Sequence, residues 1–189
     1  MQAVTRRKAV WGLLVVTIVW GATFIWMKQA MNAVQTEIDS YGQTAVVSVL
    51  VGGRFLIAAI ALFIGSSKAR AALKDRELWD GGTILGLILL VGFTTQMVGI
   101  DTISPSTSAF LTSLYVVFTA MISTKMTGQP VTRMMIVGVL LATFGAGFIE
   151  GPPHLSWGKG EILTVICAFF FALHIILSLI HISEPTRPY

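Results

Sequence analysis

The sequence predicts an all-α membrane protein, and three observations carry that reading: long apolar runs, scarce charge, and the placement of the charge that remains. Hydrophobic residues make up 54% of the 189-residue chain and charged residues 12%, against about 25% charged in soluble domains. Mean hydropathy is +0.79, which leaves more apolar surface than a water-soluble fold of this length can bury. Six apolar runs, at Ala9–Ala30, Thr44–Ile64, Thr83–Ile100, Ser106–Thr124, Met134–Ile149 and Glu161–Ile176, each hold about 16 to 22 residues. As helices rising about 1.5 Å per residue they match a hydrocarbon core of about 30 Å. Backbone groups in lipid must be paired within a helix or around a closed barrel. Barrel strands alternate apolar and polar residues, whereas Leu13-Leu14-Val15-Val16 and Leu87-Ile88-Leu89-Leu90 do not alternate. Helices follow.

The first run begins after Arg6, Arg7 and Lys8, as a secretory signal would. It is too long and too rich in tryptophan for one, so it is read as a retained first helix. Trp20 lies beside Gly21, with Thr17 and Thr23 nearby. Trp20 sits deeper than an interfacial belt residue and either lines a path or packs over a close-approach glycine, with packing favoured. Arg54 lies near the middle of the second run, too deep for easy snorkelling, where a charge costs about 2.5–3.5 kcal/mol on insertion scales. Two roles fit it equally: a fixed cation facing an anionic or zwitterionic solute, or a structural arginine bonded to backbone carbonyls.

In the third run Gln96 follows Thr94 and Thr95 and shares a face with Gly92 and Gly99. Its amide would meet a solute or bond a neighbouring helix. Asp101 to Pro105 is all that joins the third and fourth runs, which forces an antiparallel hairpin. Ser104 and Pro105 suit a helix start as cap and first helical residue. The fourth run carries Ser108, Thr112, Tyr115, Thr119 and Ser123 at spacings of four, three, four and four, which places them on one helical face. Such a stripe lines a wet path or bonds helix to helix, and its five members favour lining. Gly138, Ala142 and Ala146 in the fifth run recur every four residues and read as a packing face.

Charge sets the expected topology. Arg6, Arg7, Lys8, Lys68, Arg70, Lys74, Arg76, Lys125 and Arg133 flank alternate ends of the runs, whereas Lys28 and Lys159 fall on the other side. This bias predicts a cytoplasmic N-terminus. The net charge of +4 is therefore topological, and no nucleic-acid partner is expected. The chain's one cysteine, Cys167, lies inside a run and has no partner within the chain. Soluble-enzyme motifs are absent. Gly158-Lys159-Gly160 lacks the residues of a phosphate loop, and His154, His174 and His181 form no metal-spaced pair. No enzymatic activity, cofactor or metal is expected, and the first five runs offer no buried carboxylate for a proton relay.

Residues 1–150 read as a complete five-helix transmembrane repeat and 151–176 as the first helix of a second, inverted repeat. The odd count inverts whatever follows, and Phe171-Ala172-Leu173-His174-Ile175 overlays Trp20-Gly21-Ala22-Thr23-Phe24 weakly. Residues 177–189, LSLIHISEPTRPY, resemble the translation of a transposase sequencing adaptor. The expectation is a non-native tail after Ile176.

Trp20-Gly21-Ala22-Thr23-Phe24 resembles the WGxTF element of EamA-like transporters, in the drug/metabolite transporter superfamily. Arg54-Phe55-Leu56-Ile57-Ala58-Ala59 is similar to their RFxxAA element. Gln96-Met97-Val98-Gly99-Ile100, with Thr102, Ser104 and Ala109-Phe110-Leu111-Thr112-Ser113-Leu114, resembles the segment crossing their third and fourth helices. Thr119-Ala120 stands where the family carries a helix-kinking proline, and Gly128-Gln129-Pro130 where it carries Glu-Arg-Pro. The resemblance implies ten helices in two inverted repeats, alternating access, and movement of small metabolites such as amino acids or related polar solutes. The expected protein is a fragment of a permease in a bacterial inner membrane, completed by a missing second repeat or a second copy. Trp20, Thr23, Arg54, Gln96, Ser108, Thr112, Tyr115 and Thr119 are its expected substrate path. The alternatives are a non-transporting accessory protein or a membrane-embedded enzyme.

Overall fold

A computed structural model describes residues 2–127, 132–148 and 158–180. Their elements are helices α1 (Gln2–Ala33), α2 (Gln35–Tyr41), α3 (Gln43–Gly65), α4 (Ser67–Ala72), α5 (Arg76–Ile100), α6 (Pro105–Ser113), α7 (Tyr115–Thr127), α8 (Arg133–Gly147) and α9 (Lys159–Ser178). No strand occurs among the described residues. Five spans are long and apolar enough to cross a membrane: Arg7–Ala33, Gln43–Gly65, Leu78–Ile100, Pro105–Thr124 and Lys159–Ser178. Their outward faces stay apolar and exposed, as at Trp11, Leu13 and Ile18 on α1 and Leu56 and Ile57 on α3. Such faces suit lipid and not water. The chain is an all-α, multi-pass membrane protein.

Two elements differ from expectation. The fifth apolar run forms α8, whose 15 residues fall short of the roughly 20 needed to span; Gly145 and Gly147 near its end are poor helix formers. Nor does the small-residue face of α8 find a packing partner at Gly138, where nothing lies within 4 Å; the side chains of Ala142 and Ala146 lie outside the described residues. The fourth run, expected as one helix with one polar face, is divided at Leu114 into α6 and α7. Leu114 keeps right-handed helical dihedrals (φ −59, ψ −13), and its N–H reaches the Leu111 carbonyl at 3.2 Å.

Caps behave as the residue types require. Ser104 caps α6 by accepting from the Thr107 N–H at 3.0 Å, with Pro105 opening the helix. Ser66 does the same for α4 through Ala69 N–H at 3.2 Å. The guanidinium of Arg70 closes α3 by donating to the Phe63 and Ile64 carbonyls at 2.7 and 3.0 Å. Gly42 joins α2 to α3 at φ +85, a left-handed conformation that a Cβ disfavours.

Helix α5 is the centre of the bundle. It runs alongside α1, whose Lys28 ammonium donates to the last carbonyls of the α5 end, Ile100 at 3.0 Å and Asp101 at 2.6 Å. Helix α9 lies antiparallel to α5: Gly160 meets Gly99 at one end and His174 meets Leu85 at the other. It therefore runs opposite to α1. The seam is close because it is built on glycine. A Cβ on Gly99 would lie 2.9 Å from the Gly160 carbonyl oxygen, and one on Gly92 2.7 Å from the Phe171 ring. Small residues at such contacts let membrane helices touch backbone to backbone. Between α1, α3 and α5, Met31, Val47, Met97 and Ile100 close an apolar core beside Asp101. There the Asp101 carboxylate accepts from Gln35 Nε2 at 2.9 Å and Gln43 Nε2 at 2.8 Å, clasping α2 and α3 to the α5–α6 turn.

Candidate substrate path

Phe93 on α5 stands between two cavities. The smaller, of about 410 Å³, is bounded by Thr23, Trp26 and Met27 of α1, Arg54 of α3, and Phe93 and Met97 of α5. The larger, of about 660 Å³, is bounded by Trp20 of α1, Phe93, Tyr115 of α7, and Phe171 and His174 of α9. The volumes suit small organic solutes, whose pockets run to about 300–1,000 Å³.

Arg54 enters the smaller cavity over the face of Phe93, its guanidinium carbon 4.6 Å from the ring centroid. Its Nη1 lies 3.8 Å from the Met27 sulfur. A guanidinium over an aromatic face is attracted by the ring quadrupole, worth about 0.5–2 kcal/mol. Among the described residues no carboxylate and no backbone carbonyl pairs with it. The cation is therefore held in place by Phe93 and Met27 while its donors remain open to the cavity. Phe93 is itself braced edge-on by Phe55 at 5.4 Å and Phe171 at 5.1 Å between centroids.

The remaining expected path residues separate into three groups. Thr23 borders the smaller cavity, its hydroxyl donating to the Trp20 carbonyl at 2.6 Å. Trp20 and Tyr115 border the larger one. Gln96, Ser108 and Thr112 line neither cavity; all three are buried, Gln96 and Thr112 where α5, α6 and α9 meet and Ser108 one turn earlier on α6. Gln96 Nε2 donates to Thr112 Oγ1 at 3.0 Å. Ser108 Oγ is the buried side-chain polar atom without a partner among the described residues. Thr119 and Ser123 turn back on their own helix, donating to the Tyr115 carbonyl at 2.7 Å and the Ala120 carbonyl at 3.1 Å. The stripe is divided by partner: Thr112 bonds Gln96 of α5, whereas Thr119 and Ser123 bond carbonyls of their own helix.

Sequence reasoning missed Phe93, Met27 and His174 as cavity-lining residues. Phe93 and Met27 look like ordinary apolar residues of a span, and only their position opposite Arg54 distinguishes them. For His174 a signal existed. The segment Phe171–Ile175 overlays Trp20–Phe24, and the structure brings Trp20, Gly21, Phe171, His174 and Ile175 to the same cavity.

An all-α bundle of membrane-length helices bordering solute-sized clefts, one of which holds the Arg54 guanidinium, is a multi-pass membrane protein with room for a small solute. The chain belongs to the EamA-like transporter family, whose model matches residues 7–150. It is also similar to an uncharacterized transporter from Archaeoglobus fulgidus, 32% identical over 187 residues, which is 99% of this chain. The chain spans 54% of that relative's length. No solved structure matches the chain. Family and relative agree with the motif resemblance, and both point to a transporter and away from an enzyme.

Proposed function

We propose that this chain supplies the substrate-binding half of a secondary permease for small anionic or zwitterionic metabolites, amino acids and related polar solutes among them. The observation that carries the reading is Arg54, a deep membrane cation with open donors and no carboxylate partner among the described residues. An ionisable group inside a membrane is costly and marks a solute or ion pathway. A solute carboxylate or phosphate would complete the pairing that the protein leaves open, in a cavity whose remaining walls are apolar.

In this reading residues 1–150 are one repeat and α9 opens a second, inverted one, contributed by a longer chain or a second copy. The two rock about the Phe93 level to expose the cavities to each side in turn. In this reading the membrane is a bacterial inner membrane, and the bias of the basic clusters supports a cytoplasmic N-terminus. The Asp101 clasp then faces outward. Gln96 and Thr112 bond helix to helix in this reading and do not touch solute.

The test is flux of a labelled metabolite panel into proteoliposomes carrying the protein, compared with Arg54→Ala. Saturable uptake of a carboxylate-bearing solute, reduced at least about tenfold by the substitution, is the expected result, since a charge-assisted hydrogen bond contributes about 1.5–3 kcal/mol. Absence of flux for every solute would favour a non-transporting accessory role.

A further inference from the structure

The larger cavity differs in chemistry from the one that Arg54 enters. Its large walls are aromatic: Trp20 of α1, Phe93 of α5, Tyr115 of α7 and Phe171 of α9. No lysine, arginine or carboxylate stands among the described residues that border it. One wall is directional. His174 Nδ1 lies 3.2 Å from the Leu85 carbonyl oxygen of α5. A carbonyl only accepts, so Nδ1 carries the proton in that bond, and in the neutral ring Nε2 is a bare acceptor. Among the described residues no protein group bonds Nε2. Nor is it sealed in the packing, because the buried unpartnered side-chain polar atom among those residues is Ser108 Oγ. Nε2 therefore has open space before it, and the cavity that His174 borders is the space available.

We infer that this cavity is a binding site in its own right, for a neutral aromatic molecule carrying an N–H or O–H donor, of the indole or phenol class. Three observations select that class. A volume of about 660 Å³ takes a body of one or two rings, and the aromatic walls offer it stacked and edge-on contacts. The bare Nε2 favours a donor and repels a carboxylate. An ammonium would add a second positive charge inside the span near Arg54, whose guanidinium carbon lies 4.6 Å from the Phe93 ring centroid. No acid in the walls would offset that charge, and unpaired charge in a span is costly. The site does not depend on the Arg54 pairing, because the Phe93 ring, braced by Phe55 and Phe171, stands between the two cavities. The Leu85 bond fixes the imidazole's orientation, as second partners of functional histidines commonly do.

Two matched probes test the donor. Equilibrium dialysis of the protein in nanodiscs, with empty nanodiscs as the blank, compares indole with 1-methylindole, which keeps the ring system and loses the N–H. Saturable binding of both is expected, with indole favoured about fivefold, in proportion to one net hydrogen bond. His174→Phe should remove that preference while the rings still bind, and Trp20→Ala should weaken both probes alike. Equal affinity of the wild type for the two, no saturable binding of either, an indole preference that survives His174→Phe, or binding undiminished by Trp20→Ala would each overturn the site. None of these outcomes bears on the Arg54 reading, which rests on carboxylate flux. A readout independent of those variants is 15N-histidine NMR of protein carrying His154→Gln and His181→Gln, which leaves His174 as its one histidine. An Nδ1–H, bare-Nε2 signal that shifts with indole and not with 1-methylindole is expected. An Nε2–H tautomer, or no response to indole, would overturn the proposal even where His174→Phe fails to fold.

Discussion

The two sides of α5 are built on opposite principles. At the Gly99 end of α5 the contacts are close: Gly99 and Gly160 of α9 touch backbone to backbone, and buried Gln96 bonds Thr112 of α6 at 3.0 Å. Toward α1 and α3 at the Phe93 level the helices stand apart around Arg54 and a cavity of about 410 Å³. Both sides are polar, but in different currencies. At the Gly99 end Gln96 and Thr112 satisfy one another and tie α5 to α6. On the other side a charge is left without a counter-charge, which does little for stability and invites a ligand. A polar residue in a membrane helix thus signals function when its partner is missing, and architecture when its partner is present.

Four substitutions would break or sharpen that contrast. The largest effect is expected from Gly160→Leu, whose side chain must enter space where a Cβ already lies 2.7 Å from the Gly99 carbonyl oxygen. Overpacking of this kind costs about 3 kcal/mol or more, read as a loss of thermal stability in detergent. Survival of the variant at wild-type stability would show the seam to be loose. Next, Gln96→Leu removes the bond to Thr112 and should cost about 1–2 kcal/mol while anion binding persists. Loss of binding with the fold intact would move Gln96 from the seam into the path.

Ser104→Ala removes the α6 cap and should cost about 1 kcal/mol, measurable as a small shift in the same melting curve; the hairpin between α5 and α6 remains. Smallest of all, Thr119→Val should change stability by less than about 0.5 kcal/mol, because its hydroxyl serves only its own helix. A clear fall in flux for Thr119→Val would restore the undivided stripe as a path lining.

Legibility in the sequence followed the range of the interaction. The Ser104–Pro105 start was readable because a cap is made within three residues, and the structure has that bond at 3.0 Å. Arg54 was readable as expensive because cost depends on depth in a span, which length alone sets. The fate of the stripe from Ser108 to Ser123 was not readable, because which hydroxyls meet another helix depends on packing: Thr112 meets Gln96, whereas Thr119 bonds its own helix. His174 was legible only through the weak overlay of Phe171–Ile175 on Trp20–Phe24, because its contact with Leu85 lies 89 positions away.

By itself, then, the sequence determined the class: apolar runs of membrane length and little charge leave helices as the form that pairs every backbone group in lipid. Its short motifs determined the family, and local chemistry determined the caps. Only the tertiary structure decided which polar side chains are spent on one another and which stay open. That outcome depends on helix rotation and register between distant segments, and a few tens of degrees turn Gln96 inward to Thr112 or leave Arg54 facing an empty cavity.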